Sequence, residues 1–476
     1  PSTLFPNATL FRSRALSQAI EQIRRRVEAD VAARFTFRRL FLAGVTALLA
    51  DAVGFGVLMV IDIDVIKDLA LTASLGVAVL IFTNLILLPV LLSYVGVSDR
   101  AAARALKAES EEHATVAASA LLLAGGFAAS TQLKIGDLDP GAPELRADSR
   151  YNRDNAYITG RYALSSDTFA VIVKTEKEGC LKYRTLVEAD RLAWTLQQVS
   201  GVQTTVSLAN AVRQITAGSN EGAPKWLTIA RNQDVLNYGA QQASVNNPDL
   251  FNTDCSVMPV IAYLADHRAE TLDRVVAAAD GFAQAHSTPE RQFLLAAGSA
   301  GIEAATNIVV RKAWVQMLLL VYAAVIVLCF ITFRSWRAVV VAVVPLVITS
   351  VLCEALMVAL GIGVKVATLP VIALGVGIGV DYALYLLSVQ LAQQRAGVSL
   401  AEAYRRALQF TGKVVMLVGV TLAAGVATWA LSPIKFQADM GILLAFMFVW
   451  NMVGAVVLIP ALSHFLLRSR ARASGA

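Results

Sequence analysis

Residues 369–390 read LPVIALGVGIGVDYALYLLSVQ, a run of apolar and small residues with a single carboxylate near its middle, Asp381. The run is long enough to cross a bilayer as a helix. A charged side chain at that depth costs at least ~2.5 kcal/mol on insertion scales, so intramembrane acids are rare and mark functional positions. Asp381 is therefore the first candidate for a working group in this chain.

The composition of the whole chain is that of a membrane protein. Hydrophobic residues make up 56% of the 476, charged residues only 16%, and the mean hydropathy is +0.59. The net charge of +6 would favour nucleic acid in a soluble chain, but here Lys and Arg fall mostly in short loops beside apolar stretches, as the positive-inside bias predicts. We expect a polytopic α-helical membrane protein with no nucleic-acid partner.

Eight apolar stretches are candidate membrane spans. If each crosses once, the basic connectors at 334–337 and 395–413 and the tail at 468–476 share one side, and their charge predicts that this side is the cytoplasm. Residues 131–307 then lie outside. The predicted spans are 40–61, 69–95, 114–130, 314–333, 338–360, 367–390, 414–431 and 440–467.

The N-terminal flanks are polar. Residues 1–14, PSTLFPNATLFRSR, resemble translated sequencing adapter and are expected to be an artefact or unstructured. Residues 15–39 have apolar positions at helical spacing among many arginines, which predicts an amphipathic cytoplasmic segment. Residues 96–113 form a charged cytoplasmic linker. Since the chain begins with Pro1 and no signal peptide precedes the first span, we expect an N-terminally truncated fragment.

Residues 131–307 have a different character. A polar, turn-rich approach, GDLDPGAPELRADSRYNRD, leads into alternating β-branched stretches and amphipathic helical stretches. This alternation predicts one compact α/β domain of split βαβ type. The expected strands are 167–176, 202–208, 257–266 and 291–299, and the expected helices are 183–199 and 270–286.

Four cysteines divide by context. Cys329 and Cys353 lie in apolar spans, where a cysteine acts as a small buried hydrophobe. Cys180 and Cys255 lie in the polar domain. If that domain faces an oxidising compartment, a disulfide between them competes with the alternative of two free thiols.

Two pieces of the chain resemble each other. GVTALLADAVGFG at 44–56 matches GVTLAAGVATWA at 419–430, and each is followed by an acid, an apolar span and a proline. The match needs one gap. Repeats of this kind are typical of transporters built from two related halves. On this interpretation residues 40–95 are the last two spans of a first half, and residues 114–130 and 308–467 are the spans of the second.

The surroundings of Asp381 favour a site inside a helix bundle. On a helix, Gly377, Asp381, Tyr385 and Ser388 share one face. Three glycines at 375, 377 and 379 permit a neighbouring helix to approach closely and shield the acid from lipid. The alternative is an acid that stays protonated and only stabilises helix packing through hydrogen bonds.

These residues carry a resemblance to a family. GVGIGVDYALYLLS, with GVTALLADAVGFG and the approach GDLDPGAPELRADSRYNRD, resembles the resistance-nodulation-division (RND) superfamily, in particular its MMPL-like, hydrophobe-exporting branch. The similarity covers about 15–467. It implies a bundle with an extracytoplasmic porter domain at 131–307, and two halves whose Asp-Tyr pairs face each other and relay protons. Asp381 and Tyr382 match the second-half pair; a first-half pair would precede residue 15.

The resemblance also gives weight to other polar residues. Asp51 is a second intramembrane acid, which either tunes the relay or belongs to a packed polar cluster, and Glu354 faces either the relay or a substrate path. Thr46 and Thr421 hold matching repeat positions near the bundle centre, although a lone threonine often bonds back to its own helix. Asn451 is expected to bond between helices. Lys365 is expected at the outer mouth of its span, snorkelling at the surface.

The sequence thus predicts a proton-motive-force-driven exporter of a lipid or other hydrophobic compound in a bacterial inner membrane. Two alternatives stay open: a protein-export accessory of the SecDF type, and a non-transporting sensor or scaffold of sterol-sensing type. No P-loop, catalytic triad, dinucleotide fingerprint or metal-ligand spacing is present in the sequence, so neither an enzyme nor a cofactor is expected. Protons and a hydrophobic substrate are the expected partners, and a homo-oligomer is left open.

Overall fold

The computed structural model describes residues 44–82, 124–139, 141–162 and 164–467. The predictions for residues 1–39 and 96–113, for the tail at 468–476, and for parts of the spans at 40–61, 69–95 and 114–130 lie outside these ranges. The chain divides into two compact units. The helical unit comprises Pro1–Lys134 and Val310–Ala476, and the sheet unit comprises Ile135–Val309.

Three helices of the helical unit lie in the described ranges before the sheet unit. Helix α1 (Gly44–Val60) is short and apolar. Helix α2 (Asp64–Phe82) follows after a tight connection in which the Leu58 carbonyl accepts from the Ile61 amide at 3.1 Å. Helix α3 covers 124–130.

The sheet unit holds a four-stranded antiparallel sheet with the strand order β2-β3-β1-β4. Between β1 and β2 lies one helix, and another lies between β3 and β4, which is the alternation that the sequence predicted. The elements are α4 (Arg150–Arg161), β1 (Thr168–Thr175), α5 (Tyr183–Gln197), β2 (Val202–Ser207), α6 (Leu208–Gly218), α7 (Gln233–Asn246), β3 (Val257–Leu264), α8 (Ala269–His286) and β4 (Arg291–Ala297).

Alternation of side chains along the strands builds the core of the sheet unit. In β3 every second residue is buried, and Phe169, Val171 and Val173 of β1 are fully buried in the same cluster. Period-two burial is what a sheet with one covered face requires. Helices α5 and α8 contribute buried side chains to this core, and α6 and α7 add further ones.

Three helices of the sheet unit, α4, α6 and α7, were not predicted. Each begins at a polar residue whose side chain caps the first turn: Ser149 accepts from the Asn152 amide, Ser207 from Asn210 and Asn232 from Asp234. These are ordinary N-caps. Polar residues weaken the helical period in α4 and α7, whereas α6 has apolar residues at helical spacing, such as Leu208 and Val212. All three caps could have been recognised in the sequence.

Among the described residues, five helices are long and apolar enough to cross a membrane. They are α9 (Ser299–Phe333), α10 (Trp336–Leu360), α11 (Leu369–Arg395), α13 (Lys413–Leu431) and α14 (Lys435–Leu466); α12 (Leu400–Ala407) is a short helix between α11 and α13. Helix α9 is continuous from Ser299, so its N-terminal part precedes the span predicted at 314–333. Helix α14 contains a π-helical turn, Gly454–Leu458.

Helix α11 is the centre of the helical unit. In its most apolar stretch 89% of the residues are buried, against 22–44% in the other four long helices. Helices α10, α12 and α14 all pack on it. The stretch that carries Asp381 is therefore the least lipid-exposed of the five.

Candidate functional site

Asp381 lies in the interior of the helical unit. Its residue is 0% exposed, as is Tyr382 beside it. Helix α11 starts after Thr368, whose hydroxyl accepts from the Lys365 amide at 2.9 Å, and has Pro370 in its first turn, where a missing N–H leaves no gap in the helix. The proline-containing first turn of α11 and its buried middle part keep Asp381 away from lipid.

A second carboxylate meets this helix at Gly377. A Cβ built on Gly377 would lie 3.6 Å from Asp51 Oδ1, and Asp51 of α1 is 6% exposed. Gly377 and Asp381 are one helical turn apart, with about 6 Å between their Cβ positions. The structure thus brings two predicted residues, Asp51 and Asp381, to one interior region, with Tyr382 in electrostatic range of both.

The other two glycines face a different neighbour. A Cβ on Gly375 would overlap the sulfur of Met447, and one on Gly379 would overlap Asn451 Nδ2 and lie 2.6 Å from Asn451 Cγ. Both contacts are with α14. Through this gap Asn451 Nδ2 donates to the Gly375 carbonyl at 2.8 Å, which confirms the predicted interhelical bond.

The two threonines are not equivalent. Thr46 is buried, 6% exposed, and its hydroxyl accepts from Thr332 Oγ1 at 3.3 Å. Thr421 is exposed on α13 and donates to the carbonyls of its own helix, Leu417 at 2.9 Å and Val418 at 3.0 Å. The prediction that Thr421 lies near the bundle centre is wrong for this arrangement, because its hydroxyl is satisfied locally.

Glu354 lies in a groove on the side of the bundle. The groove has a volume of about 270 Å³ between α9 and α10 and is almost entirely apolar; its lining is Leu318, Leu319, Tyr322, Val347, Ser350, Val351 and Glu354. Tyr322 and Ser350, which sequence reasoning missed, share a hydrogen bond of 2.7 Å inside it. Helical spacing could have found them, because Ser350 precedes Glu354 by one turn.

Lys365 does not snorkel at the surface. Its ammonium lies 3.7 Å from Asp439 Oδ2, and the two side chains are only 12% and 9% exposed. Lys365 stands just before α11 and Asp439 in the second turn of α14. The prediction was wrong because the partner lies 74 positions away in the sequence, beyond the reach of any local pattern.

In the sheet unit Cys180 and Cys255 form a disulfide with a Cα–Cα distance of 5.3 Å. Cys329 and Cys353 are free and buried. The unit also holds a buried ion pair that the sequence did not indicate: His267 Nδ1 lies 3.2 Å from Asp167 Oδ2. Burial lowers the pKa of His267, but the hydrogen bond to Asp167 and the negative charges of Glu303, Asp167 and Asp137 raise it to about 9.

No cluster of three or more His, Cys, Asp or Glu side chains able to hold a metal occurs among the described residues. What the site offers is protonatable oxygen atoms in a water-poor interior. Such groups can take up and release protons. Each change of charge alters the relative free energies of the ways in which the surrounding helices can pack.

These features define a class: a multi-span helical membrane protein with a buried carboxylate on a glycine-rich central helix and a small antiparallel α/β domain. Residues 163–474 match the MMPL family, and the chain belongs to that family, within the RND superfamily. Its relatives there are of transporter type, and the family is not an enzyme family.

Two curated relatives are described as membrane proteins. A membrane protein of Streptomyces coelicolor is 36% identical over 90 residues, which are 19% of this chain and 13% of that protein. A membrane protein of Methanocaldococcus jannaschii is 23% identical over 280 residues, 59% of this chain and 70% of that protein.

Two solved structures share the fold. SecDF, a translocon-associated membrane protein from Thermus thermophilus, matches 97% of this chain with a TM-score of 0.52 and 12% identity, over 53% of its own length. The hedgehog release protein Disp of the water bear Hypsibius dujardini matches 98% of this chain with a TM-score of 0.59 and 12% identity, over 62% of its length. The chain therefore spans roughly half to two-thirds of these two proteins, and the likeness concerns the fold.

Proposed function

We propose that this protein exports a lipid or another hydrophobic or amphiphilic compound in a bacterial inner membrane, driven by the proton-motive force. The observation that carries the proposal is that the buried Asp51 meets α11 at Gly377, one helical turn before the buried Asp381. Two carboxylates that share one low-dielectric interior region repel each other when both are ionised, so together they favour a state that binds a proton. Proton binding and release at this pair would be the driving step.

Tyr382 is the natural partner of the pair. Its hydroxyl is buried and makes no hydrogen bond to any residue that the structure describes. A phenol can donate to an ionised carboxylate and accept from a protonated one. In the proposed cycle Asp381 takes a proton from outside, the Tyr382 hydroxyl forms a hydrogen bond to the carboxyl group, and α11 shifts against α1.

The groove at Glu354 supports a hydrophobic cargo. Its walls are aliphatic and aromatic, and its few polar groups, Tyr322, Ser350 and Glu354, are confined to one line. This distribution suits a molecule with an apolar chain and one hydrogen-bonding or cationic head. With the predicted topology Glu354 is six residues from the outer end of α10, about 9 Å along the axis, so the cargo would be taken from the outer leaflet.

The test is the Asp381→Asn variant in proteoliposomes that contain a pH-sensitive dye. Asparagine keeps the shape of the side chain and removes the titration, so we expect proton flux to fall about 100-fold. Asp51→Asn measures the second acid in the same assay. Glu354→Gln is the matched control: it also neutralises an intramembrane acid, and we expect it to change lipid export but not the proton response in the absence of cargo.

The outcomes separate the alternatives. Wild-type proton flux in Asp381→Asn would refute the proposal. A protein-export accessory would show Asp381-dependent flux and a defect in the secretion of polypeptides, with lipid composition unchanged. A sensor or scaffold would show no proton flux in the wild type either.

A further inference from the structure

A buried amide on α11 has no role in the relay described above. Gln390 is 0% exposed, and neither its Nε2 nor its Oε1 makes a hydrogen bond within the described part of the chain. Ser463 of α14 is 1% exposed, and its hydroxyl is likewise without a partner there. A buried polar group without a hydrogen bond destabilises a protein, and natural structures supply the missing partner, often as an internal water molecule.

Two hydrogen bonds fix the register of α11 against α14. Asn451 Nδ2 donates to the Gly375 carbonyl at 2.8 Å, and Gln394 Nε2 donates to the Leu467 carbonyl at 3.5 Å. Gln390 lies one turn before Gln394, and Ser463 lies one turn before Leu467. Both therefore lie at the same level of the bundle, near the basic end of α11 that carries Arg395.

One stripe of α11 connects this level with Tyr382, the tyrosine of the proposed relay. Gly379, Tyr382, Leu386 and Gln390 follow each other at spacings of three and four residues, so they form one stripe along the helix. Asp381 and Gln390 are nine residues apart, which places them on opposite faces of α11 and about 13 Å apart along its axis, so the connection between them runs through Tyr382. That distance is longer than one hydrogen bond, so a proton leaving Asp381 in this direction needs intermediate carriers.

We infer that Gln390 and Ser463 hold internal water and form the cytoplasmic branch of the proton path from Asp381. The inference rests on the proposed function. An amide donates and accepts at once, and a hydroxyl does the same, so the two side chains can orient a short chain of water molecules without titrating themselves. Gln390 is a positioning residue in this scheme, because it acts through the water and not on the carboxylate.

The first experiment measures proton flux in proteoliposomes. In Gln390→Leu we expect flux to fall about tenfold, a smaller loss than removal of the relay acid itself, while the melting temperature stays the same or rises because an unsatisfied amide has been removed. In Gln390→Glu, which again offers polar oxygens, we expect flux to be retained with an altered pH profile. Gln394→Leu is the matched control, since its amide is already bonded, and should leave flux at the wild-type level.

Asp381→Asn in the same assay separates two kinds of failure. If Asp381→Asn conducts normally, the proposed function is wrong. If Asp381→Asn is inactive and Gln390→Leu conducts normally, only the cytoplasmic branch is wrong.

A second measurement does not depend on transport. In a background with alanine at Cys329 and Cys353, Gln390→Cys is exposed to a small thiol reagent from the cytoplasmic side, with Leu387→Cys, also fully buried, as the control. We expect position 390 to react about tenfold faster, because only hydrated thiols ionise readily. Equal, slow reaction at both positions would overturn the inference even if Gln390→Leu failed to fold.

Discussion

The two units of this chain place polar and apolar side chains in opposite ways. In the sheet unit the interior is apolar, with Phe169, Val171 and Met258 fully buried. In the helical unit large apolar side chains face outward, as Leu319 does at 68% exposure, while Asp381 and Asn451 are inside. Water drives apolar groups together in the first case. Lipid does not drive apolar groups together in the helical unit. There, close packing at small residues and hydrogen bonds between helices must take the place of the hydrophobic effect.

The contrast teaches where each unit is vulnerable. The sheet unit depends on buried apolar area and on its cross-link, so single polar changes at its surface should matter little. The helical unit depends on fit and on a few buried polar contacts, so one added methyl group or one removed charge should matter a great deal. The following changes test this contrast, from the largest expected effect to the smallest.

Removing the disulfide should have the largest effect in the sheet unit. Cys180 and Cys255 are 75 positions apart, and closing a loop of that size stabilises the folded state by about 4 kcal/mol in the chain-entropy account. In Cys180→Ala with Cys255→Ala we expect faster hydrogen exchange at the amides of β1 and β3, measured by mass spectrometry. Cys329→Ala is the control in the other unit and should leave this exchange unchanged. Unchanged exchange in the double variant would show that the cross-link contributes nothing.

The second-largest effect is expected from breaking the buried ion pair between Lys365 and Asp439 in the helical unit. Lys365→Met leaves the carboxylate of Asp439, in a side chain only 9% exposed, without its cation, and loss of one partner of such a pair costs about 3 kcal/mol. We expect a lower melting temperature in detergent. Adding Asp439→Leu removes the stranded charge and should restore most of the loss. If the double variant melts no higher than Lys365→Met, the pair is not the source of the effect.

Adding a methyl group at Gly379 tests the fit between helices. A Cβ there would overlap Asn451 Nδ2 and lie 2.8 Å from Leu346 Cδ2, so Gly379→Ala should destabilise the protein by about 2 kcal/mol, as overpacking does. Gly377→Ala is the matched control on the same helix. Its Cβ would lie at an ordinary 3.6 Å from Asp51 Oδ1, and alanine improves helix propensity by up to about 1 kcal/mol. Equal melting of the two variants would mean that α14 is not packed on Gly379 in the membrane.

The sequence was sufficient for features that depend on neighbours in the chain. The apolar run around Asp381 predicted a buried span, and β-branched alternation predicted all four strands to within a few residues. Helices α4 and α7 were missed because polar residues weaken the apolar period on which helix prediction depends. Helix α6 has apolar residues at helical spacing, Leu208, Val212 and Ile215, and follows β2 directly, so it was missed although its period is clear.

Features that join distant positions could not be predicted in the same way. Asp51 meets Gly377, and Lys365 meets Asp439, only after the helices have packed. Thr421 is an example of a wrong prediction from the repeat. The repeat gives it a position equivalent to that of Thr46, but Thr421 is exposed and its hydroxyl donates to carbonyl groups of its own helix. Repeat symmetry relates positions within two halves and says nothing about which neighbours are present around each of them.

The smallest expected effect is a pH dependence confined to the sheet unit. The pKa of the buried His267, which pairs with Asp167, is raised to about 9, well above the usual 6.5. A group whose pKa is higher in the folded state adds stability that is complete below about 6.5 and is lost as the pH rises through about 9. Partial solvent screening reduces the contribution to on the order of 1 kcal/mol.

We therefore expect exchange at the ends of β1 and β3, corrected for its intrinsic pH dependence, to accelerate between pH 7 and pH 10 in the wild type. In His267→Gln the acceleration should be absent and the exchange fast throughout. His286→Gln changes the other histidine of this unit, which pairs with Glu188 at 2.8 Å, and should keep the wild-type profile. If His286→Gln abolished the pH dependence instead, the prediction would be wrong. The stabilising pair would then be His286 with Glu188, at the end of α8, and not His267 with Asp167, next to β1.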